Sequence, residues 1–186
     1  SLRLVVLRAA GNSFSAGADL NWMRRMADYS YQQNQHDAMQ LARLMKTLNA
    51  LNKPVIGLIQ GASFGGGVGL VACCDIAIAS EKAKFCLSEV RLGLIPAVIS
   101  PYVIAAMGER ACRRYFITAE RFDVNEAYRL GLVHQVVAHE GLDAALETMI
   151  DQLMAGGPAA QAAAKDLILS LSGREITDTV IEDTAQ

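Results

Sequence analysis

The sequence predicts an α/β domain built on a mainly parallel sheet, and three observations carry that reading. A short apolar run at Val55, Ile56, Leu58 and Ile59 has the character of a strand covered on both faces. It passes through Gly61 and the triplet Gly65, Gly66, Gly67 into a second apolar stretch of helical length, and Ile76 to Ala79 then reads as another buried strand. Strand, helix and strand alternating in this way are the pattern of α/β layering. Beyond Pro96 the pattern changes to successive helices, so the chain divides by composition into an α/β part at 1–96 and a helical part at 97–186.

With 186 residues, 52% hydrophobic and 19% charged, the chain has enough apolar material for one well-buried core, which excludes disorder. The formal net charge is -2 and no run of Lys and Arg stands out. That balance argues against a sequence-independent grip on nucleic acid or on an anionic membrane surface, and favours a small ligand. No apolar run approaches the length of a membrane span. Cys73, Cys74, Cys86 and Cys112 show neither a C-x-x-C pair nor zinc-ligand spacing with histidine, and are expected as buried thiols of a reducing, cytoplasmic compartment with no metal site. The chain opens directly in a core strand and ends in a helix-like segment at 174–186, as a piece of a longer protein would.

Taken in order, Leu2, Leu4, Val5, Val6 and Leu7 predict a largely buried strand, broken by Gly11, Asn12 and Ser13. The loop FSAGADL follows. Its small residues Ser15, Ala16, Gly17 and Ala18 let a ligand approach the backbone, and Asp19 is placed to cap a helix beginning near Leu20. An ordinary loop with an N-cap explains the same residues. From Tyr31 to Leu51, Ala38, Leu41, Met45 and Leu48 recur at helical spacing, and Lys53 and Pro54 end the helix.

The glycine triplet allows a helix to start near Gly66, where the first N–H groups have no partner inside the helix and would stabilise an oxygen gaining negative charge. A tight strand-to-helix connection without chemistry fits the triplet as well. A short strand is expected at Lys84 to Cys86, and Glu89 then stands alone between apolar neighbours, solvated or paired with Arg91. Helices follow at Tyr102–Met107, Glu109–Thr118, Val124–Leu130, Leu142–Ala155 and Pro158–Leu171, with a strand at Val133–Val137. His36, His134 and His139 lack an acid or thiol at useful spacing and read as surface or packing residues; Trp22 reads as core.

FSAGADL at 14–20, QGASFGGGVGLVACCDIAIAS at 60–80 and FCLSEVRLGLIPA at 85–97, in this order, resemble the enoyl-CoA hydratase/isomerase, or crotonase, family. The resemblance continues through GERACRRYFITAERFDVNEAYRLGLVHQVV. It implies a spiral of strand-strand-helix units with a C-terminal helical region, assembled as a homotrimer or hexamer, whose first strands and last helix are absent here. It implies acyl-CoA thioesters as substrates, coenzyme A being part of the substrate and no separate cofactor being needed.

By motif position, the resemblance makes the N–H groups of Ala18 and Gly66 the donors to the thioester oxygen. It gives the loop Ala16, Ala18, Asp19 and Leu20 to the CoA moiety, and sets Phe64, Gly65, Gly66, Gly69, Ser88, Glu89 and Gly93 along the substrate. Family hydratases carry two glutamates, the second matched by Glu89. Gly69 stands at the place of the first. A single carboxylate can shuttle a proton between carbons, as the family's isomerases do. The stretch SEVRLGLIPAVISPYVIAAMGER resembles bacterial 3-methylglutaconyl-CoA hydratases and their acyclic-terpene relatives, a resemblance that implies hydration of a branched, carboxylated enoyl-CoA in leucine or acyclic-terpene breakdown. On that reading Gly69 leaves space and removes a charge, so that a substrate carboxylate enters without like-charge repulsion. The alternatives are a Δ3,Δ2-enoyl-CoA isomerase, a crotonase-type decarboxylase, or a non-catalytic relative that binds CoA or RNA.

Overall fold

The computed structural model describes residues 2–185, without the side chain of Leu20. Its first half runs β1 (Val5–Arg8), α1 (Leu20–Met26), α2 (Tyr31–Asn49), β2 (Val55–Ile59), β3 (Ala62–Phe64), α3 (Gly66–Ala72), β4 (Ile76–Ser80) and β5 (Lys84–Cys86). After a 3-10 turn at Glu89–Leu92 come α4 (Ser100–Met107), α5 (Glu109–Thr118), β6 (Phe122–Asp123), α6 (Val124–Arg129) and β7 (Gln135–Val137). The chain continues through α7 (Leu142–Ala155), α8 (Pro158–Leu171) and α9 (Asp178–Thr184).

β1, β2, β4 and β7 form one sheet in that order, every pair parallel. All five residues of β2 are buried because both faces of the strand are covered. Side chains alternate across a strand, so Ile56 and Leu58 of β2 and Ile78 of β4 meet Leu142 and Leu146 of α7 on one face. On the other, Ile59, Ala77 and Ala79 join Val68 and Val71 of α3 and Val103 of α4 in the main core. Gly57 belongs to this second face, and a Cβ there would lie 3.0 Å from Cys74 Sγ, so its lack of a side chain lets the end of α3 come close.

β3 and β5 pair parallel and β6 joins β5 antiparallel, giving a second sheet of three short strands. Phe85 and Phe122, paired across β5 and β6, stack at 5.5 Å between ring centres, and Tyr115 of α5 lies on Phe122 at 4.4 Å. Local signals set the helix starts. Ser30 and Gln33 form a reciprocal capping box on α2, Asp123 caps α6, and proline opens α8. Asp75 ties distant parts together, because one of its oxygens accepts from Val55 N–H and from Lys165 Nζ of α8, both at 2.8 Å.

The helical expectations hold closely, with α5, α7 and α8 at the bounds read from the sequence. Two features differ. β1 starts at Val5 and leaves Leu2 exposed, because its partner β2 starts at Val55, the residue in register with Val5. β3 and β6 were not expected, being short strands whose pairing is decided by distant neighbours. The two parts read from composition share their sheets: β6 and β7, from the second part, join strands of the first. No described helix is long and apolar enough to cross a membrane.

Candidate active site

The loop at 14–20 is laid against the entrance of α3 by backbone hydrogen bonds. Ser15 N–H donates to Ala62 O at 2.9 Å and Phe64 N–H to Ser15 O at 2.8 Å, so Ser15 runs beside β3 as an extra rung. Gln60, 8% exposed, fixes the approach by donating its amide to Ala9 O and Gly11 O. Gly67 must lack a side chain here, since a Cβ would fall 2.8 Å from Ser15 Cβ. Asp19 accepts from Trp22 N–H at 2.7 Å and so caps α1, as its position in the sequence led us to expect. Ala16, Ala18 and Asp19 are exposed on this loop, and Leu20 opens α1 with its side chain outside the described part. Trp22 is half-buried, not core.

Gly65 takes φ 53°, a left-handed conformation open to glycine at little cost, and turns the chain from β3 into α3. Its own N–H donates to Cys86 O at 2.8 Å, and its carbonyl accepts from Val68 N–H. Gly66 is therefore the first residue of α3, where no carbonyl precedes it at the right distance to accept its N–H. Among the described residues neither Gly66 N–H nor Ala18 N–H has a hydrogen-bond partner, so both donors are uncommitted.

Glu89 comes to the same turn from β5. Its Oε1 lies 3.2 Å from where a Gly65 Cβ would stand, and its Oε2 is buried without a partner among the described residues. Burial raises the carboxyl above its ordinary pKa, opposed by a smaller effect of its own backbone N–H. Of the two environments expected for Glu89, the pairing with Arg91 is not made. Arg91 turns away and donates to Ala119 O at 2.6 Å, which leaves Glu89 unpaired and easier to protonate. Ser88 precedes the 3-10 turn without capping it, and Gly93 ends that turn at φ 71°, exposed. Phe64 is half-buried, with the Arg121 guanidinium over its ring at 5.2 Å.

Gly69 corrects an expectation. It is buried on α3, and a Cβ built there would lie 2.3 Å from Ile99 Cγ2, 2.7 Å from Ile99 Cβ and 3.3 Å from Met45 Cε. The room that a missing glutamate was expected to leave is occupied by Ile99 from the start of α4. Gly69→Ala is accordingly expected to cost about 1–3 kcal/mol by overpacking. The same change in an Ile99→Gly background should cost little more than Ile99→Gly alone, and a double-mutant cycle by urea unfolding checks the coupling.

The remaining candidates fall elsewhere. His134 Nδ1 accepts from Ala77 N–H at 2.9 Å, a packing role between β4 and the turn before β7. All four cysteines are free and buried, and burial pushes the Cys73 and Cys74 thiols up to about 12, out of the range of a useful nucleophile. No group of three or more His, Cys, Asp or Glu that could hold a metal occurs among the described residues. Sequence reasoning missed Ile99 and Arg121, and the contacts that Ser15 makes with Gly67 and Met45 with Gly69, because all of these join elements far apart in the chain.

The profile of the family described as Enoyl-CoA hydratase/isomerase matches residues 1–182. Enoyl-CoA hydratase AFT6-1 of Alternaria alternata is 33% identical over 168 residues, 90% of this chain and 54% of that protein. The peroxisomal Delta(3,5)-Delta(2,4)-dienoyl-CoA isomerase of Arabidopsis thaliana is 32% identical over 177 residues, 89% of this chain and 64% of its own length. The chain thus spans between about half and two thirds of these two relatives. A solved enoyl-CoA hydratase from Shewanella pealeana superposes with a TM-score of 0.95 at 52% identity, covering 98% of this chain and 68% of that one.

Proposed function

The chain belongs to the enoyl-CoA hydratase/isomerase family, and from that premise we propose that it adds water to an enoyl-CoA, with Glu89 as the acid and base. One observation carries this reading: an unpaired, partly buried carboxylate lies against Gly65, beside the uncommitted N–H of Gly66. Glu89 takes a proton from water as the oxygen attacks the β carbon, and the electrons of the double bond move onto the thioester oxygen as an enolate. The N–H groups of Ala18 and Gly66 would hold that oxygen as its charge grows, and donors held ready in this way lower the barrier; their lack of other partners supports the role. Collapse of the enolate takes the proton from Glu89 to the α carbon, so that water is added and the carboxylate regenerated. The loop of small residues at 15–18 would take the CoA moiety.

For the acyl group we propose a branched, carboxylated chain such as that of 3-methylglutaconyl-CoA. The segment SEVRLGLIPAVISPYVIAAMGER supports it; vacant space at Gly69 does not, since Ile99 fills that position. The exposed apolar side chains of Leu167, Ile168 and Leu169 on α8 support assembly as a homotrimer or hexamer.

A second reading, double-bond isomerisation, is favoured by the same filled position: with hydrocarbon at the first-acid site, one carboxylate suffices to move a proton between two carbons. Reaction in ¹⁸O-labelled water separates the two. Hydration puts the label on the β carbon of the product from 3-methylglutaconyl-CoA. Unlabelled product with brisk migration of a 3-enoyl double bond would establish isomerisation instead.

A further inference from the structure

Phe64 and Cys86 are paired at the C-terminal edge of the three-stranded sheet. The antiparallel register of β5 and β6, with Phe85 opposite Phe122, puts Arg121 next to Cys86 in the same row. The guanidinium of Arg121 lies over Phe64, 5.2 Å from the ring centre. From this row one strand leads at once into Gly65 and Gly66, and its neighbour reaches Glu89 three residues after Cys86. Adjacent strands are about 4.8 Å apart, so Arg121 stands within about two strand spacings of the turn that holds both.

Arg91 reaches the same corner from the 3-10 turn. Its Nη2 donates to Ala119 O at 2.6 Å, an oxygen that Cys86 Sγ also approaches at 3.3 Å. Ala119 has φ 51° and is fully buried, a left-handed corner that aims its carbonyl at these two groups. Neither Arg91 nor Arg121 has a carboxylate partner among the described residues, whereas Arg113, Arg114 and Arg129 on the neighbouring helices each do. Both unpaired arginines are exposed, and both act on Cys86 as nearby positive charges. An exposed guanidinium held in place by a ring or a carbonyl keeps most of its donors for a planar anion.

We propose that Arg91 and Arg121 form an anion subsite at the rim of the active site, and that the group they hold is the distal carboxylate of the acyl chain. This rests on the carboxylated-substrate reading given above. The subsite selects a substrate by charge at its far end, and leaves the reacting carbons to Glu89 and the backbone donors. Arg121 is the residue to test, because Arg91 also supports the Ala119 corner.

The experiment compares parent, Arg121→Gln and Arg121→Lys as full-length proteins. The substrates are 3-methylglutaconyl-CoA, crotonyl-CoA and a crotonyl pantetheine thioester without the nucleotide phosphates. Arg121→Gln should raise KM for the acidic substrate about tenfold at nearly constant kcat, change crotonyl-CoA by less than about twofold, and be largely rescued by lysine. An equal rise for both CoA esters, absent with the pantetheine thioester, would assign the arginine to a CoA phosphate and overturn the proposal. No change with any substrate would overturn it too. A parent enzyme that shows no preference for the acidic substrate removes the reading beneath it, and that outcome is visible before any substitution is made.

Discussion

Glu89→Gln should lower kcat by about 10²–10⁴ while KM for the acyl-CoA changes little, because proton transfer by one positioned side chain contributes about that much. The amide keeps the shape of the carboxyl but cannot take a proton from water. With hydrocarbon from Ile99 at the first-acid position, no second carboxylate stands there to take over. Steady-state kinetics checks this; activity within about threefold of the parent would remove Glu89 from the mechanism.

The same substitution should change stability in the opposite sense. Burial raises the Glu89 pKa, so the folded state binds its proton more tightly than the unfolded chain does. Stability associated with this group is therefore lost as pH rises from the ordinary carboxylate range through the raised folded value. Above that window the parent keeps a charge in a poorly solvated place, and the glutamine variant does not. Thermal melts should find the variant more stable than the parent at neutral pH, with the difference fading in acid. The pH profile of kcat/KM should fall on its acid side at a pH above the usual carboxylate range, since the ionised form is the base.

The second large effect is expected at Gly66. Proline is tolerated at the first position of a helix, and a Cβ at Gly66 would meet nothing within 4 Å. Gly65, at φ 53° and ψ -121°, has the mirror image of the backbone that proline favours before it, and as a glycine has no Cβ to oppose it. Gly66→Pro thus deletes one N–H with little disturbance to the fold. Loss of one such donor costs about 10²–10³ in kcat where it faces the developing oxyanion. Gly66→Ala, which keeps the N–H, should retain most of the rate. Equal activity of the two variants, with matching circular dichroism, would show that this N–H does not serve the reaction.

Much of this molecule is legible in its sequence because its elements carry their own signals. Asp19, Ser30 and Asp123 cap helices from within a few residues, and the all-apolar β2 announces a strand covered on both faces. The turn at 65–67 and the isolated Glu89 were visible for the same reason: a glycine triplet and a lone acid stand out against apolar neighbours. The sequence does not display what depends on pairs far apart. Ile99 and Gly69 are thirty residues distant, and only the packing of α4 on α3 reveals that one fills the place of the other's side chain. The second sheet was hidden similarly, since β3 and β6 are too short to declare themselves and exist through their pairing with β5.

The hydrocarbon at Gly69 also bears on the stereochemistry of the reaction. On the proposed reading, the carboxylate that takes a proton as the hydroxyl group forms is the same one that returns a proton to the neighbouring carbon. A group fixed to one wall can address only one face of a planar double bond. Both new bonds must then form on that face, so that addition is syn and the hydroxyl and the incoming hydrogen are set with a fixed relative configuration. In deuterated water the deuterium would enter a single prochiral position of the α carbon.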